Sequence, residues 1–362
     1  MSTVKVLHVI ARMNVGGTAK YVSDLVSNIP GSVLATGFVQ TTEIEDSVIN
    51  GLQVHRVPHL GRKISPYRDF RSLLELKALV RELQPDIIHT HTFKAGLIGR
   101  LVSGRHKHVH TFHGHLFGDQ SFSSTEKKII ILIEKFLANK TDLLISVGEK
   151  VGKELRKVGI GPDKNWVSIP PGITPLHLVD KGRARELLGL TSEGLLIGWM
   201  ARMTEVKNPH LMLKIASKLP ATEFVMAGGG NLLEEIKRKA PQNVKVIGWT
   251  DPSLFWSAVD VCISTSDNEG MPIALIEAQM AGIPVVATDV GSNCELIVHG
   301  LTGIITSKNV DDLVRETAKM VAYEKDREIM KAAAKIWAND KFGLEKMLTR
   351  YQIIYDNLFV KK

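Results

Sequence analysis

Cysteine is nearly missing from this chain. Only Cys262 and Cys294 occur in 362 residues, at no spacing that a dithiol pair or a cysteine-built metal site would use. A disulfide scaffold is therefore excluded, and a reducing cytoplasm is the simplest setting. Long apolar runs are missing too: no stretch approaches the roughly 20 residues of a membrane-spanning helix, and Val4 to Ile10 reads as a strand, not as a signal peptide. Aromatic residues make up 6% of the chain, and no helix-turn-helix, zinc-finger or RNA-binding aromatic pattern appears, which disfavours nucleic acid as a partner. The dinucleotide fingerprint G-x-G-x-x-G is also absent. Gly16-Gly17-Thr18-Ala19-Lys20 lacks its spacing and no acidic residue closes the second strand, so a nicotinamide enzyme is disfavoured.

What the chain does have is positive charge in one half. Residues 1–178 hold 23 Lys and Arg against 15 Asp and Glu, while residues 179–362 hold 23 of each. A basic half suits an anionic membrane surface or a phosphorylated substrate. Short β-type runs alternate with helical stretches throughout, which predicts an α/β fold with parallel sheets covered by helices on both faces. Strands are expected near 4–10, 34–40, 52–58, 86–91, 108–112, 142–147 and 166–169. Six more follow near 195–200, 222–227, 244–248, 259–264, 284–288 and 303–306. Pro170-Pro171-Gly172 with Pro175 breaks both kinds of regular structure and sets the boundary between domains at 1–175 and 176–342. Residues 343–362 form a closing amphipathic helix, expected to pack back across the domains through Met347, Leu348, Tyr351 and Tyr355.

The chemistry concentrates in Glu269-Gly270-Met271-Pro272-Ile273-Ala274-Leu275-Ile276-Glu277. Proline suits a helix start, and Gly282 and Pro284 suit its end, so a nearly all-apolar helix is expected from about Pro272 to Ala281. Glu277 then sits on a buried element, where a carboxylate needs a partner. The start of that helix offers free N–H groups and a positive dipole end to a phosphate. Ligands of open parallel sheets bind outside the carboxyl ends of the strands. In the second half those ends carry Arg202 and Lys207, Gly228-Gly229-Gly230, Gly248-Trp249-Thr250, Ser264 to Glu269, and Asp289-Val290-Gly291. Two cations, a pliant backbone and a helix start describe a diphosphate site with carboxylates left for sugar hydroxyls. In the first half, Gly16-Gly17 lets the backbone approach a ligand. Seven histidines crowd nearby (His89, His91, His106, His108, His110, His113 and His115), but without the spacing of a metal site, so no metal is expected. His106, His108 and His110 alternate along a strand and are expected on one partly solvated face. His113 falls just past that strand and is the catalytic candidate.

These residues resemble the family-4 retaining glycosyltransferases of GT-B architecture, over nearly the whole chain. The resemblance rests on the Gly-Gly loop, His89-x-His91, Thr111-Phe112-His113-Gly114, Arg202 with Lys207, the glycine-rich turn at 228–230, and Ser266-x-x-Glu269-Gly270-Met271-Pro272 with Glu277. It implies two doubly wound Rossmann-like domains facing across a cleft. It further implies that Arg202 and Lys207 neutralise the departing donor diphosphate, that Glu277 binds the ribose, and that Glu269, helped by backbone amides near Gly270 to Ile273, engages hydroxyls of the transferred sugar. His113 would lie beside that sugar, Gly16 and Gly17 under the phosphates, and Trp249 by the base. Ala201 and Asn208 stand where the family usually has glycine.

The implied reaction transfers a sugar, with retention, from a nucleotide-diphosphate sugar to an acceptor hydroxyl. UDP is the favoured donor nucleotide, and a lipid-linked or polysaccharide intermediate of cell-surface glycan synthesis is the expected acceptor. No Asp-x-Asp occurs, so metal independence is expected, with no cofactor besides the nucleotide-sugar co-substrate. A cytoplasmic protein is expected, peripheral on an anionic membrane through Arg62, Lys63, Arg68, Arg71, Tyr67, Phe70 and the lysine-flanked helix at 124–139. Two rivals keep the donor site: a sugar-nucleotide 2-epimerase or hydrolase, and a non-catalytic sugar-nucleotide-binding subunit.

Overall fold

The computed structural model describes residues 3–41, 43–114, 117, 122–162, 165–191 and 193–360; His115 lies outside them. The chain forms two compact units, one from residues up to Gly172 together with Leu344 onward, the other from Ile173 to Gly343. Each is a Rossmann-like layer of parallel strands between helices, as expected.

Unit 1 contains β1 (Val6–Ile10), β2 (Ser32–Thr36), β3 (Val54–Arg56), β4 (Ile87–His91), β5 (Lys107–Phe112), β6 (Leu143–Ser146) and β7 (Trp166–Ser168), in the spatial order β3-β2-β1-β4-β5-β6-β7. Its helices are α1 (Gly17–Asn28), α2 (Pro66–Leu83), α3 (Thr92–Gly99), α4 (Ser124–Ala138) and α5 (Glu149–Lys157). Unit 2 contains α6 (Lys181–Leu187), β8 (Leu196–Met200), α7 (Pro209–Lys218), β9 (Glu223–Ala227), α8 (Leu233–Lys239), β10 (Val244–Gly248), α9 (Pro252–Ala258) and β11 (Val261–Ser264). It continues through α10 (Ile273–Met280), β12 (Val285–Thr288), α11 (Asn293–Leu296), β13 (Gly303–Thr306), α12 (Val310–Ala322) and α13 (Glu324–Lys341). Its sheet runs β10-β9-β8-β11-β12-β13. The last helix, α14 (Leu344–Val360), belongs to unit 1.

Both sheets reverse their strand order once, between β1 and β4 and between β8 and β11. At such a point the loops leave in opposite directions and open a crevice at the carboxyl edge. The strands flanking it are buried throughout: β1 is fully covered along Val-Leu-His-Val-Ile, and β4 along Ile-Ile-His-Thr-His. Helices on both faces explain this, since central parallel strands have no solvent side.

Local chemistry sets the helix limits. Ser123 and Glu126 form a reciprocal capping box at the start of α4, with Ser123 N donating to Glu126 Oε2 at 2.8 Å. Around Pro272 the prediction shifts by one residue. Pro272 is the residue before α10, at φ −74° and ψ 119°, and the helix closes at Met280 ahead of Gly282, which holds φ +79°. Two ion pairs lock α3 beneath its neighbours: Lys94 with Asp69 of α2, and the fully buried Arg100 with Glu134 of α4 at 2.7 Å.

Candidate functional site

In unit 2 the loops after β8 and β11 meet across the order reversal. Lys207 ends a single 3₁₀ turn, Glu205–Lys207, and its Nζ lies 2.5 Å from Glu269 Oε1. Ser266 Oγ donates to the same oxygen at 2.7 Å. Glu269 is 8% exposed, so its charge is held by one cation and one hydroxyl in a partly dehydrated setting, where such bonds are strong. Read from sequence, Lys207 and Glu269 are separate ligand contacts; in the structure they are bound to each other.

The two loops are fastened by more than this pair. Thr265 Oγ1 donates to the carbonyls of Lys207 and Asn208 at 3.1 and 2.9 Å, and Asp267 N donates to Val206 O at 2.8 Å. Asn208 explains one departure from the family pattern. Its φ of 49° lies in the left-handed region, which asparagine tolerates, and its side chain caps α7 through Leu211 N while donating to Asp267 Oδ2 at 3.2 Å. A glycine would supply the conformation without either bond. Arg202 lies exposed just past β8.

The glycines here serve protein packing. A Cβ on Gly228 would stand 1.9 Å from Ala201 O, one on Gly230 2.4 Å from Met203 O, and one on Gly229 2.0 Å from the Trp249 indole nitrogen. The turn thus presses against the Arg202 loop, and Met203 N donates to Gly229 O at 2.8 Å. Gly291 plays the same part opposite. It holds φ +48°, a Cβ there would meet Glu269 O at 1.9 Å, and Ser292 N donates to Gly270 O at 2.9 Å. Trp249 remains 46% exposed. Met271 is buried beside the start of α10, and Gly270, Pro272 and Ile273 lead the chain into its first turn. Glu277 on α10 is 6% exposed, and Trp256 Nε1 donates to its Oε2 at 3.4 Å.

In unit 1, Gly16 precedes α1 at φ +147° and Gly17 begins the helix, after β1 at the order reversal. His113 follows β5. Its Nε2 lies 3.2 Å from His91 Nδ1, and its ring stands edge-on to Tyr21 with centroids 4.8 Å apart. Burial pushes the His113 pKa below the ordinary imidazole value. The strand histidines differ from expectation. His108 and His110 are buried, with His110 Nδ1 on Thr90 Oγ1 at 2.8 Å, and His106 precedes the strand with Nε2 on Val102 O at 3.0 Å. A period-two reading assumes one wet face, and β5 has none.

His8 is the residue that sequence reasoning missed. It sits in the middle of β1, level with His89 of β4. The signal was a lone polar residue inside an apolar strand. His8, His89 and His91 bring ring nitrogens within 4.8 Å of one another, the arrangement among described residues that could gather a metal ion. Hydrogen bonds already engage those nitrogens: His8 Nδ1 with His91 Nε2 at 3.1 Å, and His89 with Tyr355 Oη at 2.6 Å and Thr111 Oγ1 at 2.7 Å. The exception is His8 Nε2, which is buried without a partner among the described residues.

A model described as Glycosyltransferase Family 4 matches residues 15–175, and one described as Glycosyl transferases group 1 matches residues 180–337. The chain belongs to the family-4 glycosyltransferases. Among the family's relatives, the Escherichia coli UDP-Gal:alpha-D-GlcNAc-diphosphoundecaprenol alpha-1,3-galactosyltransferase is 28% identical over 348 residues, covering 89% of this chain and 87% of the relative. The O-antigen biosynthesis glycosyltransferase WbnH of the same organism is 26% identical over 96% of this chain and 97% of its own length. The fold matches Anabaena HepE in complex with UDP and glucose, with a TM-score of 0.83 at 17% identity over 98% of this chain and 99% of that one. At the carboxyl edge of the unit 2 sheet the structure thus gathers an ion pair, two glycine-packed loops and a helix start.

Proposed function

We propose that this glycosyltransferase moves a sugar, with retention, from a UDP-sugar to a hydroxyl of a lipid-linked or polysaccharide intermediate. The observation that carries the reading is the Lys207–Glu269–Ser266 cluster at the order reversal of unit 2, beside the start of α10. Cleavage of the sugar–phosphate bond leaves negative charge on the diphosphate, which Arg202, Lys207 and the helix N–H groups stabilise without a metal. Glu269 engages hydroxyls of the transferred sugar, Glu277 the ribose, and Trp249 the base. His113 is the group in unit 1 that bonds the ligand, and Gly16-Gly17 gives the backbone close approach. The acceptor hydroxyl attacks from the face the nucleotide leaves. UDP is favoured because the E. coli galactosyltransferase is named for UDP-Gal and the HepE structure holds UDP. The lipid-linked acceptor follows that same relative's name.

Thermal shifts with UDP-, GDP- and ADP-sugars test the donor, because a ligand specific for the folded state raises its stability. The anomeric configuration of the product by NMR tests retention. Replacing Arg202 by alanine should lower turnover about 10²–10³-fold, the scale of one lost oxyanion donor; a change under about twofold removes that role. Nucleotide release without any acceptor product would turn the reading to a 2-epimerase or hydrolase. No turnover by the protein alone, with full activity of a partner transferase it activates even when His113→Ala and Arg202→Ala are combined, would turn it to a binding subunit.

The acceptor also implies a bilayer. Among the described residues no helix is long and apolar enough to cross one. Two helices of unit 1 instead show apolar residues to solvent: Tyr67, Phe70 and Leu74 on α2, and Ile129, Leu132 and Phe136 on α4. Arg62, Lys63 and Arg71 border the first, and Lys127, Lys128, Lys135 and Lys140 the second, a pattern that fits an anionic membrane surface. Flotation with anionic vesicles should carry the protein in low salt, and Leu132→Glu should abolish it. Equal flotation of both forms rejects this docking face.

A further inference from the structure

Two chains of hydrogen bonds run through the interior of unit 1, and each has a polarity that can be read. The first ends on a carbonyl. Tyr21 Oη donates to Ile169 O at 3.4 Å, so Tyr351 Oη must donate to Tyr21 at 2.6 Å, and Thr111 Oγ1 to Tyr351 at 3.2 Å. His89 Nε2–H then donates to Thr111 at 2.7 Å, and Tyr355 donates to His89 Nδ1 at 2.6 Å. Each hydroxyl gives its single hydrogen forward, and His89 is fixed as the Nε2–H tautomer.

The second chain is three imidazoles. His113 Nε2 meets His91 Nδ1 at 3.2 Å, and His91 Nε2 meets His8 Nδ1 at 3.1 Å. No carboxylate takes part in these bonds, and His8 and His91 are fully buried, so an uncompensated imidazolium is disfavoured there. A neutral ring carries one N–H, which leaves two arrangements. If the hydrogens point inward, His8 Nε2–H is a buried donor with no acceptor. If they point outward, His8 Nε2 is a bare lone pair and His113 carries its hydrogen on Nδ1. Orphaned buried donors are rarer than under-satisfied acceptors, and His8 Nε2 has no partner among the described residues.

We propose that His8 and His91 are positioning residues that hold His113 as its Nδ1–H tautomer, making it a neutral hydrogen-bond donor to a ligand oxygen and not a base. The tautomer concerns the protein alone, whereas the ligand contact rests on the transferase reading above. The two halves can therefore fail separately.

The test uses the full chain labelled with ¹⁵N-histidine. Two-bond ¹H–¹⁵N correlation spectra, assigned by single substitutions, should show protonated Nδ1 and bare Nε2 on His8, His91 and His113, and the reverse on His89. A protonated Nε2 on His113 overturns the proposal whether or not any transferase activity is found. For the positioning role, His91→Leu removes the donor to His113 Nε2, while His91→Asn keeps an amide N–H near the place of Nδ1–H. One neutral hydrogen bond sets the scale: His91→Leu should mix the His113 tautomers and lower turnover about tenfold with little change in KM, and His91→Asn should restore one tautomer and turnover to within about threefold. Equal losses in both variants would reject the role. If neither variant folds, the spectrum of the unsubstituted protein still decides.

Discussion

Mild acid should unfold unit 1 before unit 2. His8, His89, His91 and His110 have no exposure, and burial in the sheet lowers each pKa below the ordinary 6.5, that of His8 to about 3. In the unfolded chain the same rings take up protons as the pH drops through about 6.5, while the folded rings stay neutral. Protons thus favour the unfolded state. The stability is complete above the unfolded pKa and is lost as the pH falls from there toward the folded one. At about pH 5, relative to about pH 8, one such ring costs about 2 kcal/mol and four cost about 8 kcal/mol. A domain has about 5–15 kcal/mol in total, so unit 1 should reach its midpoint near about pH 5. The histidines of unit 2, His177, His210 and His299, lie outside its buried core. Far-UV dichroism would report the loss in unit 1. Tryptophan emission, with Trp199, Trp249, Trp256 and Trp337 in unit 2 and only Trp166 in unit 1, would persist. Hydrogen exchange read peptide by peptide would locate the transition. Protected β1 and β4 amides at about pH 4, or simultaneous loss of both units, would refute the reasoning.

Other perturbations follow from the site. Lys207→Met leaves the Glu269 carboxylate buried with only its hydroxyl partner, and should destabilise unit 2 by about 3 kcal/mol in denaturant titrations followed by tryptophan emission. Adding Glu269→Gln should recover most of that loss, whereas a strictly additive double variant would show that the two side chains do not act on each other. Gly291→Ala forces a side chain into a left-handed backbone and against Glu269 O, and should cost at least about 2 kcal/mol with loss of donor-induced thermal shifts. Tyr351→Phe removes the hydroxyl joining Thr111 to Tyr21 in a buried chain and should cost about 1–3 kcal/mol in unit 1, measured as a lower melting temperature.

Most of the fold could be read from the sequence because parallel strands announce themselves as short, continuous apolar runs between turns. The strand ends, and with them Arg202, Lys207, Gly229, Ser266 and Glu269, followed from that pattern. The pairing of Lys207 with Glu269 did not. The two are 62 positions apart, and nothing in either segment says that an order reversal between β8 and β11 will join them. The glycines at 228–230 are visible as a turn, but the reason for them lies in the backbone they touch, which is distant in sequence. His108 and His110 show the opposite failure. Alternation along a strand is informative only when one face is wet, and here helices cover both. His8 was hidden because one histidine in an apolar run looks incidental until β1 and β4 are placed in register.

The position of α14 bears on how the protein is made. Tyr351 and Tyr355 complete the hydrogen bonds of Tyr21, Thr111 and His89, yet they lie more than 170 residues downstream of the strand that ends unit 1's sheet. During synthesis the first 172 residues leave the ribosome with those polar groups uncovered, and they stay so while all of unit 2 is translated. Unit 2, continuous in sequence, can fold as it emerges. Unit 1 must wait for the last helix, so a chain truncated after residue 343 would hold one finished domain and one unfinished, a difference that limited proteolysis would reveal.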